Sequence, residues 1–252
     1  MGIHIRFWRD NLMEQFIFKD ENLKTRGDGK KTVVLVDEEH FHLSRVLRVR
    51  PGEKILATNG AGKTLLCMVG SIGKGESECE VVEEFENLNS PPRHFCIAMS
   101  LLKPMSKLEI ALEKCTELGA DSFLLFISER SEKIRPRLDR LEGIVRSAVK
   151  QSLRSSLPRL MFVESLAEVA AFGRSYDERI ALHEKSGNMI KSHILQMKTD
   201  GPAIALIGPE GGFSENEIAL LIENGYKDFS LGKTRLRSET AAIAIASLLS
   251  AY

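Results

Sequence analysis

Residues 204–217 read IALIGPEGGFSENE. Four apolar residues in a row suit a buried strand. Glycines after it let the backbone turn tightly and approach a ligand closely. Ser214 and Glu217 stand three apart, the spacing of a capping box that opens a helix. Strand, Gly-rich loop and helix in this order are the unit of an α/β fold. In such folds ligands bind outside the carboxyl ends of the strands. The same order returns at residues 231–241, LGKTRLRSETA, between a short strand at 229–231 and an Ala-rich helix at 238–249. There Arg237 and Ser238 open a helix whose dipole favours anions. Two such loops can line one pocket, the default site for a small ligand.

Working upstream, strand-like and helix-like runs keep alternating. Strands are expected at 94–101, 122–127, 180–183 and 204–207. Ser106 and Glu109 are spaced as a capping box for a helix that carries Leu108, Ala111, Leu112 and Cys115 inward and ends at Gly119. A second helix is expected over 137–154, with Leu141, Val145, Ala148 and Val149 inward. Ser165 and Glu168 cap a third, and Gly225 closes the one opened by Ser214. Alternation of this kind predicts a mostly parallel sheet covered on both faces.

The period changes near residues 87–92, NLNSPP, where two prolines can continue neither a helix nor a central strand. Before it, short strands at 31–36, 54–57, 64–69 and 79–82 are separated by Asn59-Gly60 and Gly73-Lys74-Gly75, both turn chemistry. Residues 1–89 therefore read as a small β-rich domain and 90–252 as the α/β domain. Within the former, Gly60-Ala61-Gly62-Lys63-Thr64 imitates the end of a phosphate-binding P-loop. The full motif needs a glycine where Ala57 stands and a helix after the Lys-Thr. A strand-like run, Leu65 to Val69, follows instead, so this is a hairpin turn.

Composition excludes several classes. Apolar residues make up 43% and charged residues 28%, which rules out a disordered chain. Cys67, Cys79, Cys96 and Cys115 form no C-x-x-C pair, so neither a zinc site nor a disulfide framework is indicated. Residues 1–10 lack the apolar core of a secretory signal, and no run of about 18 apolar residues exists. The expectation is a soluble, cytoplasmic protein with reduced thiols and no membrane partner. Lys and Arg number 35 and so do Asp and Glu, which excludes a globally basic nucleic-acid binder but not a local basic face. Residues 130–159 carry nine Lys and Arg against three acids, a local +6. Arg146, Lys150 and Arg154 follow at i, i+4 and i+8, on one helical face with Gln151 beside them. Such a single-sign stripe is the electrostatic footprint of RNA binding. In the β-rich domain, residues 42–52 (HLSRVLRVRPG) offer Arg45, Arg48 and Arg50 as phosphate contacts. Phe7 and Trp8 suit core packing, with base stacking as the alternative.

These segments together resemble one family, the bacterial 16S ribosomal RNA uridine-N3 methyltransferases of the SPOUT class. The resemblance spans nearly the whole chain. Its strongest pieces are IGPEGGFSENE at 207–217 and LGKTRLRSETA at 231–241, supported by HLSRVLRVRPG at 42–52, KLEIALEKCTELGA at 107–120 and QSLRSSLP at 151–158. Similar sequences often carry Glu-Gln where this chain has Lys150-Gln151, and Ile-Leu-Arg where it has Arg235-Leu236-Arg237. Gln151 and Arg237 are kept.

The resemblance implies a C-terminal α/β trefoil-knot methyltransferase domain over 90–252, with a small N-terminal PUA-like β-barrel over 1–89 that helps hold RNA. It implies a homodimer acting on 16S ribosomal RNA in the small subunit. S-adenosylmethionine is the implied methyl donor, bound bent in the knot, largely by backbone groups. The implied contacts are Leu182, His183, Leu206, Ile207, Gly208, Pro209, Glu210, Gly211, Leu231, Gly232, Leu236, Arg237, Thr240 and Ala241. Arg45, Arg48, Arg146, Lys150, Gln151 and Arg154 are the expected RNA contacts.

A sulfonium methyl is already electrophilic, so no metal is required and catalysis is mainly alignment. Uridine N3 must lose a proton to become nucleophilic, which calls for a base or a cation that holds the uridine anion. Arg237 and Arg154 are the candidates for that charge, and Glu210 for orienting groups or taking the proton. The competing readings are a non-catalytic RNA-binding assembly factor and a SPOUT methyltransferase for another RNA.

Overall fold

The structure, a computed structural model, describes residues 14–131, 133–197 and 201–251. Phe7 and Trp8 lie outside them. The chain divides into two compact units, Met1–Ser90 with Val149–Leu157, and Pro91–Ala148 with Pro158–Tyr252.

The first unit is a mixed six-stranded sheet. Its strands are β1 (Gln15–Ile17), β2 (Leu23–Thr25), β3 (Lys31–Val36), β4 (Lys54–Thr58), β5 (Lys63–Ile72) and β6 (Glu76–Glu86), in the order β1-β4-β5-β6-β3-β2. Only β1 and β4 run parallel. Alternate residues point inward, and Phe16, Val33, Leu35, Leu43, Ile55, Leu65 and Cys67 form its core. Helix α1 (Asp37–Phe41) and a wide π turn (His42–Val46) cross between β3 and β4. The glycine turn before β5 holds protein rather than phosphate. Gly62 N–H donates to the Ser155 carbonyl at 3.0 Å, and Leu157 N–H to the Gly60 carbonyl at 2.8 Å. A strand follows the turn, which removes the helix terminus that a P-loop needs.

In the second unit six strands are all parallel: β7 (Phe95–Ser100), β8 (Ser122–Phe126), β9 (Arg159–Val163), β10 (Glu178–Leu182), β11 (Ala203–Ile207) and β12 (Lys227–Phe229). Their order is β12-β10-β11-β7-β8-β9. Helices cover both faces, as the alternating pattern predicts. On one face α2 (Met105–Glu117), α3 (Leu138–Ser152), α5 (Ile190–Ile194) and α7 (Ser238–Ser250) pack on Phe95, Ile97, Met99 and Ala205. On the other, α4 (Leu166–Phe172) and α6 (Glu215–Glu223) pack on Cys96, Ala98, Leu124 and Leu206.

Three local expectations change. Helix α2 starts at Met105 with Pro104 as its N-cap, so Ser106 lies inside the first turn and makes no cap. Proline pre-sets the backbone angle at a helix start and displaces the box. Helix α3 stops at Ser152 because Leu153 takes φ 54°, a left-handed C-terminal position. Arg154 therefore leaves the face of Arg146 and Lys150. It is 2% exposed, within the first unit, where its carbonyl accepts from Gln15 Nε2 at 2.8 Å. The last strand sits at Lys227–Phe229, two residues before its expected place.

Gly60 tests the folded role of the decoy turn. It has φ 70°, and a Cβ there would stand 2.5 Å from Leu157 Cδ1. Gly60→Ala should destabilise the protein by about 1–3 kcal/mol in urea unfolding, through strain and crowding together. ATP should leave the wild-type midpoint unchanged.

Candidate functional site

Parallel pairing brings three strand ends level. Leu182 of β10 pairs with Ile207 of β11 on one side and with Phe229 of β12 on the other. The loops that leave these residues enclose a cleft of about 910 Å³ in the second unit. Small-molecule sites run from about 300 to 1,000 Å³. Its walls come from 182–185, 207–213, 229–232 and 234–238, with Ala241 of α7 and Lys107 of α2.

The glycine loop at 208–213 is fixed from several sides. Ser214 caps α6 by accepting from Glu217 N–H at 3.1 Å, and the Glu217 carboxylate returns to Ser214 N–H at 2.8 Å. That same carboxylate is 5% exposed and accepts from Ser128 Oγ at 2.7 Å and Glu129 N–H at 2.9 Å. Four hydrogen bonds thus meet at one capping box, two within it and two from the loop after β8. Phe213 stacks on Phe126 with centroids 6.5 Å apart. Ser238 Oγ donates to the Gly208 carbonyl at 2.9 Å, which ties α7 to the loop. Arg130 Nη1 donates to the Gly211 carbonyl at 2.7 Å.

Charges gather at the cleft. The Glu210 carboxylate meets Lys107 Nζ at 2.9 Å and accepts from Lys103 N–H at 3.3 Å. Partial burial pushes its pKa up, but the Lys107 ammonium and the backbone N–H bonds outweigh this and hold it below the usual carboxylate value. Glu210 is therefore an ionised anchor and a weak proton acceptor. Arg235 bridges two loops, with Nη2 on the Glu210 carbonyl at 3.2 Å and Nε near Glu184 at 3.3 Å. Arg237 is the N-cap of α7, exposed on the cleft; its carbonyl accepts from Ala241 N–H at 2.9 Å, and its guanidinium has no hydrogen-bond or ion-pair partner among the described residues.

The loop residues expected around the donor line this cleft, with two exceptions. Leu206 is fully buried and packs against α4 and α6, because successive strand residues alternate faces and its neighbour Ile207 takes the cleft side. Thr240 is an exposed residue in the first turn of α7 and does not line the cleft. Nor does Arg154: the end of α3 at Ser152 carries it into the first unit, and its burial also removes it from an open RNA-facing surface. Arg45, Arg48, Arg146 and Gln151 are exposed, whereas Lys150 is largely buried, bonded to both Glu39 carboxylate oxygens at 3.0 Å. Lys107, Arg130, Glu184 and Lys185 join the cleft without having been expected there. Glu184 and Lys185 directly follow the end of β10, and Arg130 lies just past β8, so strand-end position was the available signal.

Taken alone, fold and cleft define an α/β protein that binds a small ligand at the carboxyl edge of a parallel sheet. Comparison with known proteins narrows this. The RNA methyltransferase domain family matches residues 89–250, and the RNA methyltransferase PUA domain matches residues 35–82. The chain belongs to the RNA methyltransferase domain family. It is 30% identical over 241 residues to the ribosomal RNA small subunit methyltransferase E of Bacillus subtilis, covering 91% of this chain and 94% of the relative. It is 31% identical over 231 residues to the protein of that name from Mycobacterium bovis, covering 86% of each. Among solved structures, the ribosomal RNA small subunit methyltransferase E from Neisseria gonorrhoeae, bound to S-adenosyl methionine, superposes with a TM-score of 0.83 at 28% identity, covering 95% of this chain and 97% of that one. The fold class is the one implied by the resemblance, α/β with an N-terminal PUA-like unit.

The Glu210 carboxyl gives a signed pH dependence. A carboxyl held below its unfolded value contributes stability above that value and loses it as pH falls through the folded one. The wild type should exceed Glu210→Gln in urea midpoint at about pH 7, and the gap should shrink at about pH 3.5.

Proposed function

We propose that this protein transfers a methyl group from S-adenosylmethionine to N3 of a uridine in 16S ribosomal RNA, as a cytoplasmic homodimer. The observation that carries the reading is the cleft itself: three level strand ends, glycine-rich walls, and on its rim an exposed Arg237 guanidinium without a partner among the described residues. The names of the relatives and the donor bound in the Neisseria gonorrhoeae structure support it.

The residues present fit the donor. Where Gly212 and Gly232 stand, a Cβ would meet nothing within 4 Å, which leaves room beside the backbone. At Gly208 a Cβ would already press on Phe213 N at 3.2 Å. Leu182, Ile207 and Leu231 offer apolar walls for a flat ring, while the loop backbone offers donors and acceptors at its edge. S-adenosylmethionine, when bound, supplies a methyl group on a positively charged sulfur.

The chain's own residues do the rest. The cleft loops hold donor and acceptor in line, which is where most of the acceleration arises. Arg237 faces the negative charge that develops on the uracil carbonyl oxygens as the N3 proton leaves, with no carboxylate paired to it among the described residues. Glu210, ionised and tied to Lys107, orients the loop and the Arg235 bridge rather than taking the proton. Arg154, buried in the first unit, is given no role in the chemistry. Arg45 and Arg48 in the first unit, with Arg146 and Gln151 on α3, contact the RNA.

The test is methyl transfer from labelled S-adenosylmethionine to small ribosomal subunits lacking the modification, with nucleoside analysis of the digested RNA. Label in N3-methyluridine is expected. Label in a ribose or in transfer RNA would replace the substrate assignment, and absence of donor binding would favour a non-catalytic RNA-binding factor. Arg237→Ala should lower kcat by roughly 100-fold or more, the scale set by losing one charge-stabilising group, with the urea midpoint unchanged. Full activity in that variant would remove Arg237 from the mechanism.

A further inference from the structure

Phe41 is a large aromatic side chain left 59% exposed at the end of α1. The turn that follows it is held from inside. Leu43 is fully buried, and the His42 ring packs edge-on to Phe16 with centroids 6.1 Å apart. With these two residues committed to the core, the others are turned outward: Phe41, Arg45, Val46 at 55% exposure, and Arg48. Phe41 and Val46 are five positions apart, one turn of the π helix that spans His42–Val46. Turns of this wide kind are rare and frequent at functional sites. Arg48 is held at φ 54°, a left-handed backbone that a non-glycine residue adopts at a cost.

The charge around this apolar step is one-sided. The guanidinium groups of Arg45 and Arg48 have no hydrogen-bond or ion-pair partner among the described residues. Of the acids in α1, Glu39 is committed to Lys150, and Asp37 and Glu38 stand in the opposite, first turn. An exposed ring followed by two exposed arginines, unpaired among the described residues, matches a strand of unpaired nucleotides: the ring takes the face of a base, and the guanidinium groups take neighbouring phosphates.

We propose that Phe41 is a base-stacking platform for an unpaired nucleotide of the RNA substrate, with Arg45 and Arg48 holding the phosphates on either side. The proposal rests on the RNA methyltransferase reading above and adds to it a contact that lies outside the arginine motif. Stacking is sequence-tolerant, because every base has a π-face, so Phe41 sets affinity and register rather than base identity. Its occupant is single-stranded RNA, not a second copy of the chain or another protein.

Binding of a single-stranded RNA oligonucleotide to the full chain, read by fluorescence anisotropy across a salt series, tests this together with methyl-transfer kinetics. Phe41→Ala should weaken binding and raise the RNA KM by about tenfold, the scale of one lost base–aromatic stack, while kcat and donor affinity stay unchanged. The slope of log K against log salt should also stay unchanged, because stacking releases no counterions. Arg45→Ala should reduce that slope. Phe41→Tyr or Phe41→Trp should restore the affinity and Phe41→Leu should not, which separates stacking from simple apolar packing. Unchanged binding in Phe41→Ala, or full rescue by leucine, overturns the proposal while wild-type methyl transfer leaves the enzyme reading standing. A change in oligomeric mass on Phe41→Ala, with RNA binding intact, would assign the face to a protein contact instead. Failure of the wild type to bind the oligonucleotide would overturn this proposal, whereas the enzyme reading is decided separately by methyl transfer to small subunits.

Discussion

The register of β10 between its two neighbours is the constraint from which the site follows. Leu182 lies opposite both Ile207 and Phe229, so three parallel strands end at one level. Each must be followed by a loop that turns back toward a helix, and all three loops emerge on the same edge. A one-residue slip would turn every side chain of a strand to the other face. It would exchange Ile207, which lines the cleft, for Leu206, which fills the core under α4 and α6. Burial on both faces makes such a slip costly, since all five residues of β11 are buried.

Level strand ends define where the loops begin but not where they go. Glu217 does much of that work. Its carboxylate closes the cap of α6 and also binds Ser128 and Glu129 from the loop after β8. A buried carboxylate is tolerable only when its acceptor sites are filled, and here three donors fill them. The Phe126–Phe213 stack and the Ser238 bond to Gly208 hold the remaining length. The glycine loop is therefore held by the protein's own contacts, which reduces the ordering that ligand binding must supply.

What was legible in the sequence was what is local. Ser214 and Glu217 act over three residues, and their box forms as read. The 2.0 and 3.6 periods located the sheets and most helices. Local rules also failed locally. Pro104 starts α2 ahead of the Ser106 box, and Leu153 ends α3 before Arg154 joins its stripe. Leu206 was placed at the ligand because its segment lines the cleft, although alternation along the strand sends it inward. The long-range partners were not readable. Lys107 meets Glu210 across 103 positions, and Ser128 meets Glu217 across 89. No spacing rule reaches that far; only the strand-end position of such residues was available.

The zero net charge is the last point where composition and structure part. The six glutamates of β6 carry much of the acid in the first unit, and three of them are engaged on its own sheet: Glu78 with Arg26, Glu80 with Lys30, Glu84 with Lys31. Exposed pairs of this kind add little stability. Their effect is on the charge left over. They neutralise Arg26 and Lys30 of the turn between β2 and β3, and Lys31 of β3. In the turn after α1 the Arg45 and Arg48 guanidinium groups have no partner among the described residues, and Phe41 before them is exposed. A chain balanced overall at 35 of each sign can therefore still present a basic surface, because what an anionic polymer meets is the unpaired charge and not the sum.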